Sequence, residues 1–202
     1  MKRIVLALVL LVSFTEAAIK IMPIGDSITQ QCGWRRTLWL KLNTAGYVTS
    51  LDLNFVGSRT DGVGIGSCGT DYDKNHEGWG GYTMSGTIDG LLDGWLAAQT
   101  PDIILWMMGT NDFCSGGSAC ALVDNAKFDS LLVKARRNNP NVKILISKLT
   151  PRSQSCGGID GSILNQRVIA LNACLDAWVV GKSTDQSKVI LVDQYTGFNV
   201  AT

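Results

Sequence analysis

The chain has 202 residues, 46% of them hydrophobic and 17% charged, with six cysteines, one histidine and a formal net charge of +1. This length and apolar content suit one domain with a sizeable core and exclude both a disulfide mini-scaffold and a disordered chain. Near-neutrality gives no electrostatic reason to expect nucleic acid or an anionic membrane as partner, and a single histidine, His76, leaves little freedom for zinc or histidine-based chemistry.

Lys2 and Arg3 precede nine uninterrupted apolar residues, Ile4 to Val12, and small residues follow at Ala17 and Ala18. This is the layout of a secretory signal, with cleavage expected after Ala17. Nine apolar residues are too few for a membrane span, which needs about 20. Residues 1–17 are therefore read as a signal peptide and 18–202 as one domain. The mature chain of 185 residues would carry 16 charges of each sign. In an oxidising compartment Cys32, Cys68, Cys114, Cys120, Cys156 and Cys174 are expected to form disulfides. Sequence proximity suggests one pair, Cys114 with Cys120, clipping the Ser115–Ser118 turn. No C-x-x-C pair occurs, so metal binding by cysteine is not expected.

Ile19 to Ile24 reads as a first strand. Trp34, Leu38, Leu42 and Ala45 recur at helical spacing before Gly46. Leu51 to Val56 reads as a second strand. Gly57 to Gly81 is a long polar, glycine-rich loop, a length usually tied to function or disorder. Met84, Ile88, Leu91, Leu92, Trp95 and Leu96 make one helix face ended by Pro101. Ile103 to Met108 is a strand buried on both faces. Phe128, Leu131, Leu132 and Ala135 mark a helix, Val142 to Ile146 a strand, Leu164 to Trp178 a helix, and Val189 to Val192 a fifth strand. Strands alternating with helices imply a parallel sheet covered on both faces, a three-layer flavodoxin-like α/β/α fold with strand order 2-1-3-4-5. The chain ends ten residues after Val192, so the last covering helix is expected to be missing.

In such sheets ligands bind beyond the carboxyl ends of the strands. Gly25-Asp26-Ser27-Ile28-Thr29 follows strand one, Gly80-Gly81-Tyr82-Thr83 closes the long loop after strand two, and Gly109-Thr110-Asn111-Asp112 follows strand three. Ser27 sits where a strand turns toward a helix, so its hydroxyl can project and its N–H can face an anion. Gly81 lets its N–H approach a substrate closely. The Asn111 amide can donate to a developing oxyanion. Each turn alone is commonplace, since Gly, Asn, Asp and Ser favour turns. Together, each after its own strand, they point to acyl transfer from an ester.

These blocks resemble those of the SGNH (GDSL-type) hydrolases over nearly the whole mature chain. The first is Ile21-Met22-Pro23-Ile24-Gly25-Asp26-Ser27-Ile28-Thr29, the second His76-Glu77-Gly78-Trp79-Gly80-Gly81-Tyr82-Thr83, the third Ile104 to Asp112. Their wording is most similar to carbohydrate esterase family 3, which includes acetylxylan esterases. The resemblance implies an SGNH hydrolase fold and a monomeric, cofactor-free and metal-free secreted esterase that deacetylates carbohydrate esters. It implies Ser27 as nucleophile and the Ser27 N–H, Gly81 N–H and Asn111 side chain as the oxyanion hole.

One family block is missing. An Asp-x-x-His after the last strand should supply the base and its orienting carboxylate, but here Asp193-Gln194-Tyr195-Thr196 follows strand five. Truncation before that block accounts for the missing base and helix together. The alternative is a non-catalytic, carbohydrate-binding pseudoenzyme or remnant. His76 could replace the base only if its ring came within about 3 Å of Ser27 Oγ; otherwise it orders the second block. Asp71, Asp73, Asn75 and Glu77 alternate like a calcium loop, but His76 and Tyr82 stand where an EF-hand needs Gly and Glu. Gly62, Gly64 and Gly66 lack the strand–turn–helix context of a nucleotide fingerprint. Trp79, in the site loop, would either stack on a sugar or pack the loop.

Overall fold

Strand β1 (Lys20–Gly25) is central because its two edges are taken by different parts of the chain. Its start pairs with β2 (Asn54–Phe55) and its end with β3 (Glu77–Gly78), both on the long-loop side. Its other edge pairs along five residues with β4 (Ile103–Met107), which pairs with β5 (Lys143–Ser147), and β5 pairs with β6 (Val189–Val192). Every ladder is parallel, and the order β2-β1-β4-β5-β6 is the expected doubly wound one. The computed structural model describes residues 18–62, 68–116 and 118–198, so the expected signal segment lies outside the described residues. Among the described residues no helix is long and apolar enough to cross a membrane.

Alternation along the strands sorts their side chains onto two faces. Met22, Ile24, Ile104, Trp106, Ile144 and Ile146 face one way and are buried. Over them pack α4 (Met84–Gly90), α5 (Leu92–Gln99), α7 (Lys127–Asn138) and α8 (Gly161–Trp178), through Ile88, Leu96, Leu131 and Leu171 among others. Ile21, Ile103 and Leu105 face the other way, where α2 (Cys32–Thr44) contributes Leu38, Trp39 and Leu42. Trp39 meets Phe55 edge-on at 5.2 Å. At the far end of that second face Ile190 is 50% exposed, and no helix follows β6 among the described residues.

Two expected elements are shorter or broken. The second strand, expected over Leu51–Val56, reduces to Asn54–Phe55, because the Leu53 N–H turns back to the Val48 carbonyl of the short helix α3 (Tyr47–Ser50). The helix expected over Met84–Leu96 is two helices that meet at Leu91 (φ −123°), directly after Gly90. Glycine is a weak helix residue, and Gly90 and Gly94 flank this break.

The cysteine pairing differs more. Cys114 does not pair with Cys120. The bonds are Cys32–Cys68, Cys114–Cys156 and Cys120–Cys174, with Cα separations of 5.3, 5.1 and 6.0 Å. Cys114 lies in a 3₁₀ turn (Asn111–Ser115) beside the loop that carries Cys156. Cys120 caps α6 (Ala121–Asp124) and lies against α8, with its sulfur 3.9 Å from the Ala170 carbonyl. Each bridge ties a loop to a distant element, which nearness in sequence does not reveal.

Candidate active site

The site lies at the carboxyl ends of β1 and β4. Gly25 ends β1, and a Cβ there would fall 2.5 Å from the Met107 carbonyl, so only glycine lets the two strand ends close up. Asp26 caps the short helix α1 (Ser27–Gln30), its Oδ1 accepting from the Ile28 N–H at 2.9 Å. Ser27 therefore occupies the first helical position, where N–H groups have no partner within the helix, and its side chain is exposed.

The Gly80–Gly81 turn reaches Ser27 from the long loop. The Gly80 N–H donates to Gln30 Oε1 at 3.1 Å, and a Cβ on Gly80 would come within 3.8 Å of Ser27 Cβ. Gly81 is exposed at φ +81°, a conformation that favours glycine, and its N–H donates to nothing among the described residues. The third segment closes over the second. Asn111 Nδ2 donates to the Tyr82 carbonyl at 2.9 Å, leaving its other hydrogen free. Asp112 accepts from the Met84 N–H at 2.8 Å and from the Ser85 N–H at 3.4 Å, so it holds the start of α4. The structure thus gathers Ser27, Gly81 and Asn111, each from a different block, on one rim.

Behind the rim stands support that sequence reasoning did not find. Arg35 is fully buried, although α2 was read from its apolar residues alone. Its guanidinium donates to the carbonyls of Thr29, Gln30, Asp61 and Lys74 at 2.7–3.1 Å. One side chain thereby fastens the Ser27 turn to both ends of the long loop. Burial pulls its pKa down from the usual arginine range. Gln30 adds a second tie, donating to Asp61 at 2.8 Å while it accepts from Gly80. Glu77, also buried, accepts from the Ser58 N–H, the Ser58 hydroxyl and Trp79 Nε1. Arg152 Nη1 and Arg167 Nη1 donate to the Thr110 and Phe113 carbonyls and hold the third segment from below. A polar residue inside an apolar helix pattern was the available sign for Arg35.

His76 is not placed as a base. It is fully buried, its Nδ1 accepts from the Gly78 N–H at 2.8 Å, and its Nε2 lies 2.6 Å from the Asp61 carbonyl. Those partners define the tautomer with the proton on Nε2. Desolvation first, and then the Arg35 charge, lower its pKa to about 4, so it is neutral near pH 7. It orders the second block instead. Asp26 shifts the other way. Burial raises its carboxyl to about 6, against the lowering effect of the Ile28 N–H and the Thr110 hydroxyl, and its buried Oδ2 has no hydrogen-bond partner among the described residues.

Trp79 packs the loop. Its ring lies under the Arg59 guanidinium at 4.2 Å and stacks on Tyr82 at 5.3 Å and on Trp95 at 6.1 Å. The acidic run is likewise engaged. Asp71 pairs with Arg36, and Asp73 accepts from the Phe55 and Asn75 N–H groups. Of the three spaced glycines, Gly64 and Gly66 lie outside the described residues; Gly62 packs against Cys32 and Cys68.

Residues 24–196 match the model of the GDSL-like lipase/acylhydrolase family. The chain is similar to a carbohydrate esterase family 3 structure from Talaromyces cellulolyticus, with 30% identity and TM-score 0.75, covering 87% of this chain and 79% of that one. It is also similar to a family 3 carbohydrate esterase from Clostridium thermocellum, with 27% identity and TM-score 0.66, covering 88% of this chain and 78% of that one. A multidomain esterase of Ruminococcus flavefaciens is 32% identical over 72% of this chain. The match spans about a fifth (21%) of that curated relative's length.

Proposed function

The chain belongs to the GDSL-like lipase/acylhydrolase family, and from that premise we propose that it is a secreted serine ester hydrolase acting on acetylated carbohydrates. Ser27 Oγ attacks the acetyl carbonyl, and the sugar alcohol leaves with a proton. Water then hydrolyses the acetyl–Ser27 ester. The Ser27 and Gly81 N–H groups and the Asn111 amide receive the negative oxygen of each tetrahedral intermediate. Such donors act mainly where charge develops, and removing one typically costs about 10²–10³ in kcat.

The observation that carries this reading is the meeting of three sequence-distant segments at one rim, with the Gly81 N–H unspent beside Ser27. The acetylated-carbohydrate substrate rests on likeness to family 3 carbohydrate esterases. Secretion is supported by the expected signal segment and by three disulfides, which persist in oxidising compartments.

A second reading has its own support. His76, the sole histidine of the sequence, is buried with both nitrogens engaged and cannot take the Ser27 proton. A protein that binds glycan esters without turning them over would share every other feature of the rim.

The two readings separate when a base is supplied in solution. Wild type and Ser27→Ala are incubated with p-nitrophenyl acetate and imidazole, and release of nitrophenol and acetylation of the protein are followed. The hydrolase reading expects an acetyl adduct on Ser27 and a rate above that of Ser27→Ala. Equal rates and no adduct would refute the nucleophile assignment and leave the binding protein.

A further inference from the structure

We propose that the Tyr82 ring, not Trp79, is the platform on which the sugar ring of the ester stacks; this deepens the carbohydrate-ester reading above and rests on it. Trp79 cannot offer a face. Arg59, Tyr82 and Trp95 all lie against its ring, and Nε1 is bound to Glu77. Tyr82 is the outer member of this stack. Its ring lies nearly parallel to Trp79, 19° apart, and the residue remains 36% exposed.

Two hydrogen bonds and one ring contact hold Tyr82 beside Gly81. Its N–H donates to the Trp79 carbonyl at 3.2 Å, its carbonyl accepts from Asn111, and its ring rests on Trp79. It directly follows Gly81, so its Cα lies about 3.8 Å from that of the oxyanion donor. An ester whose acetyl oxygen sits on the Gly81 N–H therefore lies next to Tyr82, and its alcohol part is the group the proposal sets against the exposed Tyr82 ring. The ring face carries the negative part of the aromatic quadrupole, which suits the weakly positive C–H face of a pyranose. Its order in the free protein reduces the entropy lost on binding.

The test measures binding in the Ser27→Ala background, where the ester is not consumed. Acetylated xylo-oligosaccharide is titrated into this protein and into versions that also carry Tyr82→Leu, Tyr82→Phe or Tyr82→Trp, with calorimetric readout. Loss of the aromatic face in Tyr82→Leu is expected to weaken binding roughly tenfold, the upper range of a single aromatic contact. Phe and Trp should restore it. Equal affinity of the Leu and Tyr forms overturns the platform, and so does a Phe form as weak as Leu, which would assign the effect to the hydroxyl. A second measurement does not depend on any Tyr82 variant folding. Stacking shifts the C–H protons of one sugar face upfield in NMR spectra of the bound oligosaccharide, and unshifted protons or no binding at all overturn the inference. Failure here leaves Ser27 acetylation by p-nitrophenyl acetate untouched, so the two readings fall separately.

Discussion

Two turns leave the same edge of the sheet and are held in opposite ways. The turn after β1 is tied to residues up to fifty positions away, by Arg35, Gln30 and the Gly80 N–H. The turn after β6 is tied to itself. Asp193 accepts from the Tyr195 and Thr196 N–H groups and from the Thr196 hydroxyl, all within three residues and all exposed. Part-buried, long-range bonds fix the Ser27 turn before a ligand arrives, as the proposed stabilisation of developing charge requires. The bonds of Asp193 are local and exposed, and it is the half-buried Tyr195 ring, not they, that packs against the core. The contrast also extends to the sheet faces, since the residues beside β1 are covered by α2 while Ile190 on β6 is half-exposed.

The largest expected effect comes from breaking the first turn at its root. Arg35→Ala should cost about 3–5 kcal/mol in urea unfolding, because the buried Thr29 and Gln30 bonds and the part-buried Lys74 bond lose their donor, the Asp61 carbonyl keeps only His76, and a cavity remains. A loss below about 1 kcal/mol would mean that water replaces the guanidinium and that the turn is less dependent on it than the geometry says.

Next in size are two opposed proton linkages behind the same rim. Unfolded His76 takes a proton near pH 6.5, folded His76 only near 4. Between those values the unfolded chain binds more protons, so stability is lost as pH falls from about 6.5 to about 4. Asp26 takes its proton near 6 when folded and near 3.8 when unfolded, so acidification through that window favours the fold. Each term is on the order of 3 kcal/mol, and they offset one another. The His76 and Asp26 contributions are therefore expected nearly to cancel from pH 6 to 4, with Asp112, whose carboxyl burial also raises, acting in the same sense as Asp26. Asp26→Asn should be more stable near pH 7 and fall steeply with acid as the His76 term is unmasked. A variant profile parallel to the wild type would remove Asp26 from the account.

How far the sequence could reveal this follows from the kind of bond involved. That the segments of Ser27, Gly81 and Asn111 would meet at one sheet edge was legible because each follows a strand, and strand order could be read from alternating apolar runs. Arg35 was not, because helical periodicity counts apolar residues, and the residues of α2 that are fully buried are Cys32 and Arg35 rather than Leu38 and Leu42. Gln30 and Asp112 were missed for a related reason. Asp112 binds backbone N–H groups, and Gln30 joins the Gly80 N–H to the Asp61 carboxylate thirty or more residues away, pairings that leave no mark on the sequence. The cysteines show the same limit, since six of them permit 15 pairings and the closest pair in sequence was not bonded in space.

A smaller effect tests whether the third segment holds the second. Asp112→Ala removes the acceptor for the first two N–H groups of α4 and should cost about 1–2 kcal/mol, the usual range for a lost cap with a favourable charge. Its sharper signature is local. The Met84 and Ser85 amides should exchange with solvent well before the core strands do, whereas a general loss of stability would speed exchange everywhere alike.

The smallest effect lies at the turn after β6. Hydrogen bonds from Thr196 and Tyr195 hold the Asp193 carboxyl down at about 2, so it is ionised near neutral pH. Yet the group is fully exposed and its partners are near neighbours, which water replaces easily. Asp193→Ala should therefore leave the unfolding midpoint within measurement error, and faster amide exchange should be confined to Tyr195 and Thr196. A clear drop in midpoint would show that these bonds hold Tyr195 in its place against the core. The two rims would then differ in the reach of their bonds but not in their weight for the fold.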